Sequence, residues 1–395
     1  MNAVIEYVDP IEGFQGWLVY DGLDCRLAAG GCRVKPGLTA AELGELASRM
    51  TLKERLLGIN VDGAKCGIDY DPRAPGKAAA LRRFLRFLRG QLMTRFSMGC
   101  DMGTHWDELE QLAVLEGIPS IKYAVRGAQE FSEAEFVARM GLLDQHVGAL
   151  TLAQRRAGHA LAQAAVMAAR ASALPGPLSC TLQGFGNLGR AAAYTLAQEG
   201  VRITGIADEY GCVADPRGLD VAAMLAEPAG TPVSQLARHA RRMPAAALLD
   251  LPTDLVLLAA GADGLPAERA DRLPAPVVVV GANCGLSPQA EHALHRAGVL
   301  VVPDFVGGIG GSASMEALFG PTSCPSPRGV LDGVTELMRQ LVDHLTDEAC
   351  RHDLPLRQVA YDTAAAARVT PDEPPYGTSP FLTRPLTATS RPVRR

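Results

Sequence analysis

The chain has 395 residues, 48% hydrophobic and 21% charged, with a formal net charge of −5 at pH 7 and a pI near 5.9. That length suggests roughly two or three domains, each able to bury its own core. The acidic balance excludes an electrostatic footprint for nucleic acid or an anionic membrane, and the basic end (Arg391, Arg394, Arg395) is too short to change that.

The opening segment, MNAVIEYVDPIEG, lacks a basic start followed by an apolar core and is not read as a signal peptide. Phe14 to Tyr20 and Cys25 to Ala29 read as strands. Thr39-Ala40-Ala41-Glu42 is a capping box that opens a helix to about Leu57. Ile59 to Tyr70 returns as strand and loop. Lys77 to Met93 is an amphipathic basic helix whose arginines (Arg82, Arg83, Arg86, Arg89) form a solvated face or a subunit contact. Ser132 caps another helix, and Thr151 to Ala173 is a long Ala-rich one.

Pro175-Gly176-Pro177 then breaks the texture. Strands at 178–182, 201–207, 255–259, 277–280 and 299–302 alternate with helices and show no hairpin turns, the pattern of a parallel, doubly wound sheet. The longest strongly apolar run, Val277 to Val280, is far too short to span a bilayer. Two helices follow, near 330–350 and 356–369, and the stretch from Thr370 reads as a disordered tail rich in Pro, Thr, Ser and Arg. Nine cysteines without a C-x-x-C pair read as reduced thiols in a cytoplasmic protein, and no metal-ligand spacing appears.

Two motifs carry chemistry. Gln183-Gly184-Phe185-Gly186-Asn187-Leu188-Gly189 is G-x-G-x-x-G directly after a strand and opening a helix, the context in which backbone N–H groups meet a pyrophosphate. The next strand ends in Asp208, roughly twenty residues on, where an acid binds the adenosine ribose hydroxyls. No Arg or Lys follows it in Glu209-Tyr210-Gly211-Cys212, which favours NAD over NADP. Upstream, the Gly30-Gly31 pair stands at a strand end. Lys65 lies in Asp62-Gly63-Ala64-Lys65-Cys66-Gly67, Lys53 lies in the capped helix, and Asp101 lies in Gly99-Cys100-Asp101-Met102-Gly103. Taken singly, two lysines and a turn aspartate are ordinarily surface groups. Glycine flanking on both sides, twice over, points instead to a desolvated lysine whose pKa a second lysine lowers further, as a general base requires.

On these residues the sequence resembles the glutamate/leucine/phenylalanine/valine dehydrogenases, from about Gly13 to Gly320. Gly30-Gly31-Cys32-Arg33 resembles the family's Gly-Gly-x-Arg, Thr51-Leu52-Lys53 its carboxylate-binding lysine, Gly63-Ala64-Lys65 its catalytic lysine segment, and Asp101-Met102-Gly103-Thr104 its catalytic aspartate segment. Ala260 and Asn283 fall in the nucleotide half. The resemblance implies an α/β fold: an N-terminal α/β substrate domain plus a C-terminal doubly wound Rossmann domain, with the catalytic cleft between them. It divides the chain into a substrate-binding and oligomerisation domain (1–150), an NAD-binding domain (151–330), helices packing back on the first domain (331–369) and the tail (370–395).

It further implies reversible, NAD-dependent oxidative deamination of an L-amino acid by a homo-oligomer, with no nucleic-acid or membrane partner. Lys65 and Asp101 are the expected catalytic pair, and Lys53, Gly30 and Gly31 hold substrate. Gly184, Gly186, Asn187, Leu188, Gly189, Asp208, Ala260 and Asn283 hold cofactor. The side-chain pocket falls to Ala29, Gly99, Ser312 and Met315. The glutamate-specific branch has a lysine where this chain has Ala29, so an apolar or aromatic side chain is expected over glutamate. Three further departures stand out: Asp62 replaces a glycine, Ala157 a threonine, and Gly308 an asparagine that faces the substrate carboxylate. Two other readings follow from them: a biosynthetic member acting on an unusual amino or imino acid, or a non-catalytic NAD-binding descendant.

Overall fold

The computed structural model describes residues 3–237, 239–261 and 263–382. The chain order opens β1 (Ala3–Val8), β2 (Gln15–Tyr20), β3 (Leu27–Val34), α1 (Ala40–Leu57), β4 (Val61–Ile68), α2 (Lys77–Thr94) and β5 (Phe96–Cys100). Helices α3 (Trp106–Leu115), α4 (Ala124–Ala128) and α5 (Glu133–Met140) follow, then a two-residue ladder of β6 (His146–Val147) and β7 (Leu150–Thr151).

The first five strands form one mixed sheet in the order β1-β2-β4-β3-β5, with β3 parallel to both β4 and β5. Thr39 caps α1 by accepting the Glu42 N–H at 3.2 Å, as the sequence predicts. Glu42 does not complete a reciprocal box; its carboxylate is drawn away by Arg33 and Lys35, 3.0 and 2.7 Å off. The arginines of α2 are not a free basic face either: Arg83 is 2.7 Å from Asp9, and Arg82 and Arg86 both bind Glu116.

The helix α6 (Leu152–Ala171) is the spine joining the two halves. A full capping box between Thr151 and Gln154 starts it. The second half then runs β8 (Ser179–Gln183), α7 (Asn187–Gln198), β9 (Arg202–Asp208), β10 (Gly211–Ala214), α8 (Val221–Ala226), α9 (Val233–Leu236), β11 (Arg241–Met243) and β12 (Leu255–Leu258). After these come α10 (Ala267–Ala270), β13 (Val277–Val280), α11 (Pro288–Arg296), β14 (Leu300–Val302), α12 (Asp304–Gly307), α13 (Gly310–Phe319), α14 (Pro327–His352) and α15 (Leu356–Ala366).

The sheet order is β11-β10-β9-β8-β12-β13-β14. Strands β9, β8, β12, β13 and β14 are parallel, and the order reverses between β8 and β12, where ligands of doubly wound sheets bind. The all-valine β13 is fully buried, as a strand covered on both faces should be. The expected absence of hairpins is corrected at one edge. Strands β9 and β10 form a hairpin, with Gly211 opposite Asp208, and β11 extends it antiparallel.

The tail expectation is also corrected over 370–382. Its composition reads as disordered, yet its backbone groups find fixed partners: Asn60 N–H donates to Pro375 O at 3.1 Å, and Gln129 both accepts from and donates to the Tyr376 backbone. Glu316 on α13 accepts the Gly377 and Ser379 amides at 2.8 and 3.1 Å. The result is a strap that buries Tyr376 against Phe319. Residues 383–395 of the expected tail lie outside the described residues.

Candidate active site

The parallel register sets residues 31 and 32 of β3 beside 99 and 100 of β5, and Cys32 beside Cys66 of β4. Close approach here demands glycine. A β-carbon at Gly30 would lie 1.6 Å from the Ala64 carbonyl oxygen, and one at Gly31 would lie 2.9 Å from Asp101 Cβ and 3.1 Å from Lys65 Nζ. The room the glycine pair makes is filled by the chain's own Lys65 and Asp101.

Lys65 Nζ stands 2.7 Å from Asp101 Oδ2, and Arg33 Nε is 3.0 Å from the same oxygen. Burial would raise the Asp101 carboxyl, but the two cations outweigh it and hold it down at about 2. Asp101 is therefore a carboxylate at neutral pH, ready to accept a proton. Thr104 fixes its loop, taking the Asp101 N–H at 3.0 Å and donating to the Cys32 carbonyl at 2.8 Å.

Lys53 enters from α1 and reaches the other half of the molecule. Nζ donates to Asn283 Oδ1 at 3.3 Å and to the Gly308 carbonyl at 3.1 Å. Burial first, and the charge of Lys65 second, lower its ammonium to about 8. Asn283, expected to serve the cofactor, thus turns its amide oxygen to Lys53. A β-carbon at Gly308 would lie 2.7 Å from Asp304 O and 2.8 Å from Gly281 O, so the packing has closed over the missing side chain. The Asp62 departure is absorbed too: its buried carboxylate meets Arg55 at 2.7 Å and accepts the Cys25 N–H at 2.8 Å.

The four expected pocket residues do not all converge. Gly99 borders open space, since a β-carbon there would meet only Gly30 O, at 3.9 Å. Ser312 donates to Glu54 Oε1 at 2.6 Å. Met315 belongs to the core between the helices, with Ala29 packed on that core's edge. Sequence reasoning missed the hold of Arg33 on Asp101. It also missed Glu54, which accepts from Ser312, Lys122, which donates to Met98 O, Arg156, which donates to Gly311 O and Ser314 Oγ, and the buried Tyr376. Only Arg33 carried a signal, as part of its motif; the others are single residues on elements with no pattern of their own.

In the crevice between β8 and β12, each motif glycine has a separate geometric task. Gly184 has φ of +98°, and a β-carbon there would lie 2.7 Å from Ala260 Cβ. Gly186 has nothing within 4 Å of that position, which leaves its backbone open to a ligand. At Gly189 a β-carbon would lie 1.9 Å from Gly184 O, so α7 can pack directly on the loop. Helix α7 starts at Asn187 with no side-chain cap, and its first N–H groups remain available to a pyrophosphate. Leu188 lies beneath them, half-buried. Asp208 at the end of β9 accepts the Tyr210 and Gly211 amides on Oδ1 and the Val233 amide on Oδ2, at 2.9, 3.0 and 2.7 Å. It shapes the hairpin, and Oδ2 retains a lone pair for a ribose hydroxyl. These residues fit a dinucleotide.

Comparison with known proteins agrees with this geometry. The family model described as Glutamate/Leucine/Phenylalanine/Valine dehydrogenase matches residues 157–371, and that of the Glu/Leu/Phe/Val dehydrogenase dimerisation domain matches residues 4–114. The chain belongs to the Glu/Leu/Phe/Val dehydrogenase family. As a member it is an amino-acid dehydrogenase by descent, of the oxidoreductase class. It is 27% identical over 310 residues to glutamate dehydrogenase of Thermotoga maritima, covering 76% of this chain and 71% of that one. It is 29% identical over 333 residues to glutamate dehydrogenase B of Halobacterium salinarum, covering 78% and 72%. Among solved structures, the Leu-bound hetero-hexameric glutamate dehydrogenase of Thermus thermophilus superposes with a TM-score of 0.74 at 26% identity, covering 92% of this chain and 87% of that chain.

Proposed function

We propose that the protein is an NAD-dependent dehydrogenase that interconverts an L-amino acid with its 2-oxo acid and ammonia. The observation that carries the reading is the Lys65–Asp101 pair, 2.7 Å apart, with Arg33 3.0 Å from the same Asp101 oxygen, and with Lys53 reaching the nucleotide half. Bound nicotinamide supplies the acceptor or donor of hydride at the substrate Cα. The chain's residues do the rest. Lys53 exchanges its amide and carbonyl partners for the substrate α-carboxylate. Asp101, already a carboxylate, takes the proton of the substrate ammonium and frees the nitrogen lone pair. Lys65 releases a proton to solvent and, as the free amine, removes a proton from the water that adds to the imine carbon, while the proton held by Asp101 returns to the leaving nitrogen. The preference for NAD rests on Asp208, whose charge opposes a 2′-phosphate.

The expectation of an apolar or aromatic side chain rests on Ala29, which puts no cation at that position, while the relatives compared above are named glutamate dehydrogenases and Arg156 and Lys122 bear on the choice. Self-association is proposed through the first sheet, which is in keeping with the dimerisation-domain match and with β1 as an edge strand carrying exposed Val4 and Val8. A cytoplasmic setting suits the buried thiols of Cys32, Cys66, Cys180 and Cys212.

Dinucleotide reduction by a panel of L-amino acids at alkaline pH tests the proposal. At least one should reduce NAD, with NADP the poorer acceptor. Lys65→Ala or Asp101→Asn should lower kcat by about 1,000-fold. Failure of every amino acid with both dinucleotides, or near wild-type rates in either variant, overturns it.

A further inference from the structure

Two cations near the catalytic pair, Lys122 buried and Arg156 half-buried, have no carboxylate to match them among the described residues. Arg156, near the start of α6, reaches the first turn of α13, where Nη1 donates to Gly311 O at 3.1 Å and Ser314 Oγ at 2.8 Å. Its Nε is buried and donates to nothing among the described residues. Lys122 is 5% exposed, and its Nζ donates to Ser97 Oγ at 3.3 Å and Met98 O at 3.1 Å, directly before Gly99, Cys100 and Asp101. Like Lys53, neither forms an ion pair among the described residues, whereas Lys65 and Arg33 do.

The two cations are close enough to oppose each other: after burial, the charge of Arg156 is what most lowers the Lys122 ammonium, to about 8. The charge of Arg156 also works against the rise that burial imposes on the phenol of Tyr376, which the strap delivers. Glu54 is the carboxyl that would be expected to compensate them. It is engaged by Ser312 instead, and burial raises it to about 7, so much of its charge is absent at neutral pH. The space in front is open. Cys100 and Gly311 are exposed, and no atom lies within 4 Å of a β-carbon placed at Gly311. Burying charge without a counter-charge is expensive, and cations held only by neutral acceptors beside open space have an oxyanion as their complement.

We propose that this end of the pocket receives a carboxylate at the tip of the substrate's side chain, with Arg156 as a specificity-determining residue and Lys122 and the Tyr376 hydroxyl as supporting donors. The inference rests on the dehydrogenase reading. It moves the anion-binding task from position 29, where Ala29 stands, to the start of α6 and the strap.

The test compares matched pairs on the full chain: L-glutamate with L-glutamine, and L-2-aminoadipate with L-norleucine. In the wild type kcat/KM should favour the acid in at least one pair, and Arg156→Met should lower that acid-to-neutral ratio by about 100-fold. Arg156→Lys should restore part of it, which a merely structural role for the hydrogen bonds to α13 would not give. A binding arm separates this proposal from the parent reading. Titration of 2-oxoglutarate and 2-oxohexanoate is followed by tryptophan fluorescence, since the Trp106 ring centroid is 6.0 Å from Lys122 Nζ. Preference for the dicarboxylate, lost in Arg156→Met, supports the anion-binding end even if no amino acid is turned over, an outcome that would sink only the dehydrogenase reading. A wild type that favours the neutral partner in both pairs, or a ratio and a binding preference that Arg156→Met leaves unmoved, overturns it.

Discussion

On the nucleotide side of the cleft, Gly184, Gly186 and Gly189 bring bare backbone to the place a pyrophosphate would occupy. On the substrate side, Arg33 and Lys65 on two neighbouring strands and Asp101 just past the end of a third converge as side chains. The first surface works because atoms are missing, the second because charges are present and paired. They should therefore fail in opposite ways, one when a methyl group is added and the other when a charge is removed.

The largest expected effect breaks that contrast open. Gly189→Ala forces a β-carbon to within 1.9 Å of Gly184 O unless the helix shifts. It should abolish NAD binding and cost roughly 1–3 kcal/mol of stability. Lys65→Ala should do the reverse, leaving NAD titration close to wild type while kcat falls about 1,000-fold, with the melt lowered only by the loss of one partner of a buried ion pair. Loss of NAD binding in Lys65→Ala, or normal binding in Gly189→Ala, would show that the two surfaces are not separable.

The same contrast explains what was legible in the sequence. The glycine loop is a local pattern: seven consecutive residues encode turn, backbone approach and helix start, and all three appear as read. The helix caps at Thr39 and Ser132 are equally local, and each side chain accepts the N–H three residues on. The hairpin after β9 was hidden because Asp208 was assigned wholly to the ribose, whereas its Oδ1 also builds the turn. The far end of the pocket was illegible for a different reason. Arg156 on α6, Lys122 in the turn before α4, Glu54 on α1 and Tyr376 in the strap come from four separate segments, and only tertiary packing relates them. Tyr376 lies in a segment whose composition argues for disorder, and no local signal marks the backbone acceptors that order it.

A smaller effect sharpens the substrate side. Lys53 is held near the cleft by an amide oxygen and a carbonyl, neither of them a charge. Burial and Lys65 lower its ammonium to about 8. If it grips the α-carboxylate as a cation, affinity should fall as pH rises through that value. KM for the 2-oxo acid, which has no amine of its own to titrate, should rise up to about tenfold per pH unit above 8 and be flat below 7. Lys53→Gln should raise KM at every pH and flatten the profile. A pH-independent KM in the wild type would remove Lys53 from carboxylate binding.

The smallest effect concerns two buried carboxyls of opposite fate. Asp101, among cations, is driven down; Glu316, which meets the strap only through the Gly377 and Ser379 amides, is driven up. Burial raises Glu316 from 4.5 to about 7, outweighing the two amides that favour its anion. The sign follows from that direction. A group whose folded pKa lies above its unfolded value contributes stability below about 4.5, and that contribution is lost as pH climbs through about 7. A shift of this size bounds the loss at roughly 3 kcal/mol. Glu54 titrates in the same window, so the wild-type pH profile alone does not isolate Glu316. Glu316→Gln does, because the amide is neutral at every pH, as the protonated wild type is below the transition. The two proteins should melt alike at pH 5. At pH 9 the variant should melt a few degrees higher, at about 2 °C per kcal/mol. That gain is reduced by about 1 kcal/mol for the backbone amide that loses its carboxylate oxygen. A difference in Tm that stays constant from pH 5 to 9 would mean that the strap does not feel the charge on Glu316, and that its hold on Tyr376 is set by packing alone.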